Sequence, residues 1–174
     1  AHPRLSTVMG PSTPFLCSRE LLLWARDQAA ELGIGLQIHL AETHYEVAQV
    51  LAETGLTPVA YAHSLGLLGP RTTAVHCIHV TDAEIDLLAE TGTTVVHCPK
   101  SNLKLGSGVA PIPKMLSRGV KIALAADGAA SNDTLDMFDN DELTFSEFQT
   151  MVGKWADKTT AHSTTQSIIH HIKD

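Results

Sequence analysis

"VKIALAADGAASND" occupies Val120–Asp133. Val120, Ile122, Leu124 and the interleaved alanines read as a buried strand, apolar on both faces, which finishes in a carboxylate, Asp127, with Gly128 directly behind it. A charge at the end of an oily strand needs a partner, because burying it alone is costly. A metal ion is one such partner; a backbone or arginine hydrogen bond is another. Working outward, three more stretches pose the same question. "TTVVHCP" (residues 93–99), "TTAVHCIHV" (72–80) and "IGLQIHL" (34–40) are each strand-like, and each carries a histidine, His97, His76 or His39, at or near its end.

The segments between them read as helices. Ser18 opens one that runs to about Leu32, with Leu22, Ala25, Ala29 and Leu32 on one face and Gly33 as a left-handed cap. Thr43 and Glu46 have capping-box spacing and open a second, which Gly55 ends. "TPVAYAHSLGLLGP" gives a short helix and a turn. Thr81 and Glu84 form another capping box, followed by Ile85, Leu88 and Ala89 on one face and Gly92 at the end. Pro111 and Pro113 suit a further helix start, and Gly119 precedes the final strand. "TVMG" (7–10) adds a fifth strand near the N-terminus. Apolar strands separated by helices predict a parallel sheet covered by helices. In such sheets ligands bind at the C-terminal strand ends. His39, His76, His97 and Asp127 need not lie in the apolar middle of the sheet; they can converge on its rim.

The chain has 174 residues, 44% of them hydrophobic and 18% charged, with a formal charge of −7. That is enough for one domain with a core, but a complete (β/α)8 barrel takes about 250 residues. The expected fold class is therefore α/β, a partial (β/α)8 TIM-type barrel. The absence of a basic run excludes nucleic acid as a partner, and no apolar stretch spans a bilayer. Three scattered cysteines and no signal-peptide layout predict a cytoplasmic, reducing location.

Individually, the chemical candidates have plain alternatives. His39 and Glu42 in "HLAET" could serve a metal and a proton transfer at one water, or a backbone bond and a helix N-terminus. His76 and His79 point to opposite faces of an ideal strand, so at most one serves a pocket. Cys77, His79, His97 and Cys98 lack the paired spacing of a structural zinc site. "HCPKSNLKLGSG" offers His97, Lys100, Ser101 and Asn102 in one loop, either around a polar ligand or in a solvated turn. "FDNDELTFSEFQTMV" matches an EF-hand poorly, since Phe138 and Asp141 fall at the wrong positions. Four polar positions on one rim shift the balance towards function.

"IHLAETHYEV", "HCPKSNLKLGSG" and "DGAASND" in combination, within residues 10–138, resemble the amidohydrolase superfamily. The resemblance is nearest to the branch of 5′-methylthioadenosine/S-adenosylhomocysteine deaminases and chlorohydrolases. It implies barrel strands of roughly the fourth to the eighth, over residues 1–139, with an atypical tail over 140–174, helical or poorly ordered. It implies His39 and Asp127 as metal ligands, Glu42 as the proton shuttle, His76 as the residue orienting the water, Asp127 also as a base, and His97, Ser101 and Asn102 beside the substrate. The implied cofactor is a divalent metal, zinc ahead of iron. The implied activity is hydrolytic deamination of an aminated purine nucleoside or related heterocycle, and a homo-oligomer is the further expectation. The family's first-strand His-x-His is absent, and Ser12 stands where many relatives have histidine. Triazine- or guanine-type ring hydrolysis is the alternative chemistry, and a non-catalytic fragment or assembly partner is the alternative class.

Overall fold

The structure, a computed structural model, describes residues 6–133. The expectations for the tail over 140–174 and for the EF-hand-like run that starts at Phe138 lie outside the described residues. The described residues divide into two compact units: 6–97 with Ala110–Leu124, and Cys98–Val109 with 125–133.

The first unit is built on a parallel sheet of β1 (Val8–Met9), β2 (Gly35–Leu40), β3 (Thr72–His76), β4 (Thr94–His97) and β5 (Lys121–Leu124), in that order. Sequential parallel order is the arrangement of consecutive β/α units in a barrel. The register pairs Leu40 with His76 and His97 with Leu124, which aligns the C-terminal ends of neighbouring strands. Between the strands run α1 (Arg19–Leu32), α2 (His44–Thr54), α3 (Pro58–Ser64), α4 (Asp82–Thr91) and, before β5, α6 (Ile112–Ser117). Leu22 of α1, Ile38 and Leu40 of β2, Ala74 of β3, Ile85 and Leu88 of α4, Val95 of β4 and Met115 of α6 form one buried cluster. Among the described residues, no helix is long and apolar enough to cross a membrane.

The helix ends follow local chemistry. Ser18 caps α1 by accepting from the Leu21 amide, and Gly33 closes it at φ 67°. Thr81 and Glu84 complete a capping box on α4. Thr43 accepts from the Glu46 amide at the start of α2, but the Glu46 carboxylate does not return to the Thr43 amide as a capping box requires; it reaches Ala41 and Glu42 instead.

Three further expectations are corrected. Leu32 is 62% exposed rather than on the buried face of α1, because the helix has turned past the sheet by its last residue. β5 is a mostly exposed edge strand, not one buried on both faces, and it ends at Leu124, so Asp127 lies three residues beyond it. The polar loop after β4 is a helix, α5 (Pro99–Leu105), with Pro99 in the first turn, where its missing N–H costs nothing.

The second unit packs α5 with α7 (Ala129–Asn132). Lys104 pairs with Asp133, and the Asn132 side chain donates to the Ala126 carbonyl.

The core assignment makes a paired prediction. Ile38→Ala, at a site with no exposure, should cost about 2–5 kcal/mol in denaturant unfolding. Leu32→Ala should stay within about 0.5 kcal/mol of the parent, as expected for a surface change.

Candidate active-site rim at the strand ends

His39 is fixed first. Its backbone N–H and its ring Nδ1 both donate to the Ser12 carbonyl, at 2.9 Å and 2.7 Å. A carbonyl oxygen only accepts, so Nδ1 carries the proton and Nε2 keeps its lone pair. Metal-ligating histidines are oriented in this way, by a backbone acceptor on the other ring nitrogen.

The neighbouring strand ends in strained backbone. His76 and Cys77 have φ 71° and 47°, and Ala41, just past β2, has φ 51°. Non-glycine residues avoid this region, at a cost of order 1–3 kcal/mol each when they occupy it. Backbone bonds between the two loops hold them there. The Cys77 amide donates to Leu40 (3.0 Å), and the Ile78 and His79 amides donate to Ala41 (3.0 and 2.9 Å). The turn ends strand alternation at His76 and brings its ring beside His39, with centroids 5.5 Å apart and planes 25° apart. His76 is 1% exposed, and its Nε2 lies 3.6 Å from a carboxylate oxygen of Glu42. His79 turns elsewhere and packs on His44, with ring centroids 3.8 Å apart.

His97 ends β4 with its Nδ1 buried and without a hydrogen-bond partner among the described residues. Burial, and secondarily the charge of a protonated His76, lower its pKa to about 4, so it is neutral at physiological pH. Burial pushes the Cys77 thiol well above the ordinary range, which makes it a packing residue rather than a nucleophile.

Glu46 is the residue that motif spacing misassigned. It is 1% exposed, and its carboxylate accepts from the amides of Ala41 (2.9 Å) and Glu42 (2.8 Å) and from the Thr13 hydroxyl (3.3 Å). Burial raises its pKa against the opposing pull of those donors. No sequence signal separates it from Glu84, which has the same spacing to its cap.

In the second unit, Asp127 sits at φ 63° and its carboxylate accepts from Ser101 (2.6 Å) and Ser131 (3.1 Å). Two serine hydroxyls thus hold it, beside the metal and the backbone or arginine bond that the sequence suggested as partners. Ser101 and Asn102 are buried on α5. The first unit therefore gathers His39, Glu42 and His76, with His97 in electrostatic reach of His76, and the second joins Ser101 to Asp127. Among the described residues, no three His, Cys, Asp or Glu side chains form a group able to hold a metal ion. His39 has the tautomer a metal needs, but the described residues fit only part of a ligand set, since catalytic zinc takes three or more protein ligands.

The family model for amidohydrolases matches residues 1–168. The chain belongs to the amidohydrolase family. It is 52% identical over 134 residues to a 5-methylthioadenosine/S-adenosylhomocysteine deaminase of Moorella thermoacetica, a match covering 77% of this chain and 31% of that protein. Among solved structures it resembles an adenosine deaminase from Xanthomonas campestris with bound zinc (TM-score 0.77, 41% identity, 79% of this chain and 31% of that one). It also resembles a zinc-containing atrazine chlorohydrolase from Arthrobacter aurescens (TM-score 0.70, 26% identity, 74% of this chain and 28% of that one). This amidohydrolase chain thus spans about a third of the length of the curated relatives it matches.

The depressed His97 pKa gives this amidohydrolase chain a testable acid limit. Below the ordinary histidine value of 6.5 the unfolded chain takes up a proton that the folded chain refuses until about pH 4. His97 therefore subtracts nothing above 6.5, and stability falls progressively as pH drops from 6.5 towards 4. A His97→Gln variant should show a shallower loss across that window in denaturant midpoints, and an imidazole NMR titration should leave His97 neutral at pH 5.5.

Proposed function

We propose that this chain contributes the proton-transfer side of a metal-dependent hydrolytic deaminase acting on an aminated purine nucleoside of the 5′-methylthioadenosine/S-adenosylhomocysteine type. The observation that carries the proposal is the grouping of Glu42, His76 and a His39 whose Nε2 lone pair is set free by the Ser12 bond. The 52% identity to a deaminase of that type supports the substrate class, and the zinc bound in the solved adenosine deaminase supports zinc ahead of iron.

In this proposal His39 and Asp127 are ligands from this chain. When bound, a divalent ion lowers the pKa of water towards about 7. Glu42, at the rim and 23% exposed on its side chain, takes a proton and returns it to the departing amine as ammonia forms. His76, buried and 3.6 Å from that carboxylate, orients the attacking water and keeps Glu42 aimed at it. Asp127 serves as a second base, its carboxylate aligned by the Ser101 and Ser131 hydroxyls. His97, Ser101 and Asn102 contact the substrate; a neutral His97 with an open Nδ1 suits a polar, uncharged heterocycle. A cytoplasmic location follows from nucleoside substrates.

Ser12 favours a second reading, a triazine- or guanine-type ring, because the histidine many nucleoside deaminases carry there is missing. A substrate panel separates the two. The chain is combined with an N-terminal segment from a relative that supplies His-x-His, loaded with zinc, and assayed for ammonia release. The expected result is one zinc-dependent activity on 5′-methylthioadenosine, with Glu42→Gln lowering kcat roughly 100- to 10,000-fold at unchanged zinc content. Turnover of triazines or guanine alone would support the second reading. No bound zinc and no turnover would overturn both.

A further inference from the structure

Two buried glutamates occupy the same helical position in the first unit and do different things. Glu84, 2% exposed, is the third residue of α4; its carboxylate accepts from the Thr81 amide and hydroxyl (2.9 Å each) and from the Val59 amide (3.2 Å). That is ordinary capping, extended to hold the start of α3. Glu46 is the third residue of α2 and is just as buried, yet its carboxylate does not return to its cap residue Thr43. One carboxylate oxygen takes the Ala41 amide and the Thr13 hydroxyl, and the other takes the Glu42 amide.

Each of those donors leads to the rim. Glu42 carries the carboxylate that faces His76. Ala41 is held at φ 51°, and its carbonyl accepts the Ile78 and His79 amides, which shape the loop just after His76. Thr13 follows Ser12, whose carbonyl takes the His39 ring proton. One buried carboxylate therefore ties together the three backbone segments that aim His39, Glu42 and His76. Charge-assisted bonds of this kind are about twice as strong as neutral ones, and a bidentate acceptor fixes direction as well as distance.

We infer that Glu46 is a positioning residue for the reaction: it acts through the backbone of Ala41 and Glu42 to set the Glu42 carboxylate against His76, and through Thr13 to seat the acceptor of His39. The inference rests on the role assigned to Glu42 above, but its geometry can be tested without turnover. Glu46→Gln keeps size and places an N–H where the Glu42 amide needs an acceptor. Glu84→Gln is the matched control, with similar burial, the same helical position and its hydrogen bonds at Thr81 and Val59 instead of Ala41, Glu42 and Thr13.

The experiment uses the full 174-residue chain, labelled with 15N and 13C. In the parent, through-hydrogen-bond couplings should connect the Ala41 and Glu42 amides to the Glu46 carboxyl carbon. In Glu46→Gln those two amides should exchange with solvent roughly 10- to 100-fold faster, relative to core amides such as Ile38, as loss of a charged-acceptor bond predicts. In Glu84→Gln they should not change relative to the same core amides. Absence of the parent couplings, or equal acceleration in both variants, overturns the inference; the couplings decide it even if Glu46→Gln does not fold. In the zinc-loaded assembly described above, Glu46→Gln should lower kcat roughly 10- to 100-fold with KM within about twofold, as misplacement of a catalytic group predicts. Glu84→Gln should leave both near the parent values. A KM change without a kcat change would also overturn it. Should the assembly prove inactive for every variant, the deaminase proposal fails while the exchange measurements still decide the role of Glu46 in holding the loop.

Discussion

The bond from His39 Nδ1 to the Ser12 carbonyl organises the rim. It links the end of β2 to the loop after β1, and it decides which ring nitrogen is left with a lone pair. The same carbonyl accepts the His39 backbone amide, so the ring is positioned by the register of the chain and not by a neighbouring side chain. Ser12 matters to this bond only through its backbone. A substitution at Ser12 can therefore change that side chain without removing the acceptor of the histidine.

Around that bond the structure concentrates conformational cost. Ala41, His76 and Cys77 all sit at positive φ in the two loops beside β2 and β3. Their amides and carbonyls bond one another, and a buried carboxylate, Glu46, anchors the set. Below the rim, the described strands have no residue at positive φ. They are held by the parallel ladder and by an apolar cluster drawn from every strand from β2 to β4 and most of the intervening helices. Stability is thus supplied away from the rim, which lets the strand ends hold costly backbone conformations.

The alternation of helix and strand was legible in the sequence because it depends on local signals: apolar periodicity, glycine at helix ends, and serine or threonine at helix starts. So were the histidines at the strand ends. What spacing could not show was direction. Thr43–Glu46 and Thr81–Glu84 are indistinguishable as motifs, yet only the second closes a capping box. The difference is tertiary, since the amides that attract Glu46 are exposed by the turn at Ala41. The alternation rule placed His76 and His79 on opposite faces, but the backbone leaves β geometry at His76, so the rule stops applying where the site begins. The exposed faces of β5 were misread for another reason: its apolar composition is that of an interior strand, while its place is at the edge of the described sheet. Of the serine partners of Asp127, Ser131 of α7 lies four residues on, but Ser101 of α5 lies 26 residues back, a separation that no local pattern encodes.

A long-range 1H–15N spectrum of the imidazole groups at neutral pH addresses the central claim directly. The Ser12 bond requires His39 to be the tautomer with its proton on Nδ1 and a bare, acceptor-type Nε2 resonance. A proton found on Nε2 instead, with Nδ1 unprotonated, would contradict it, because the carbonyl would then have no donor and the lone pair a metal needs would face the wrong way.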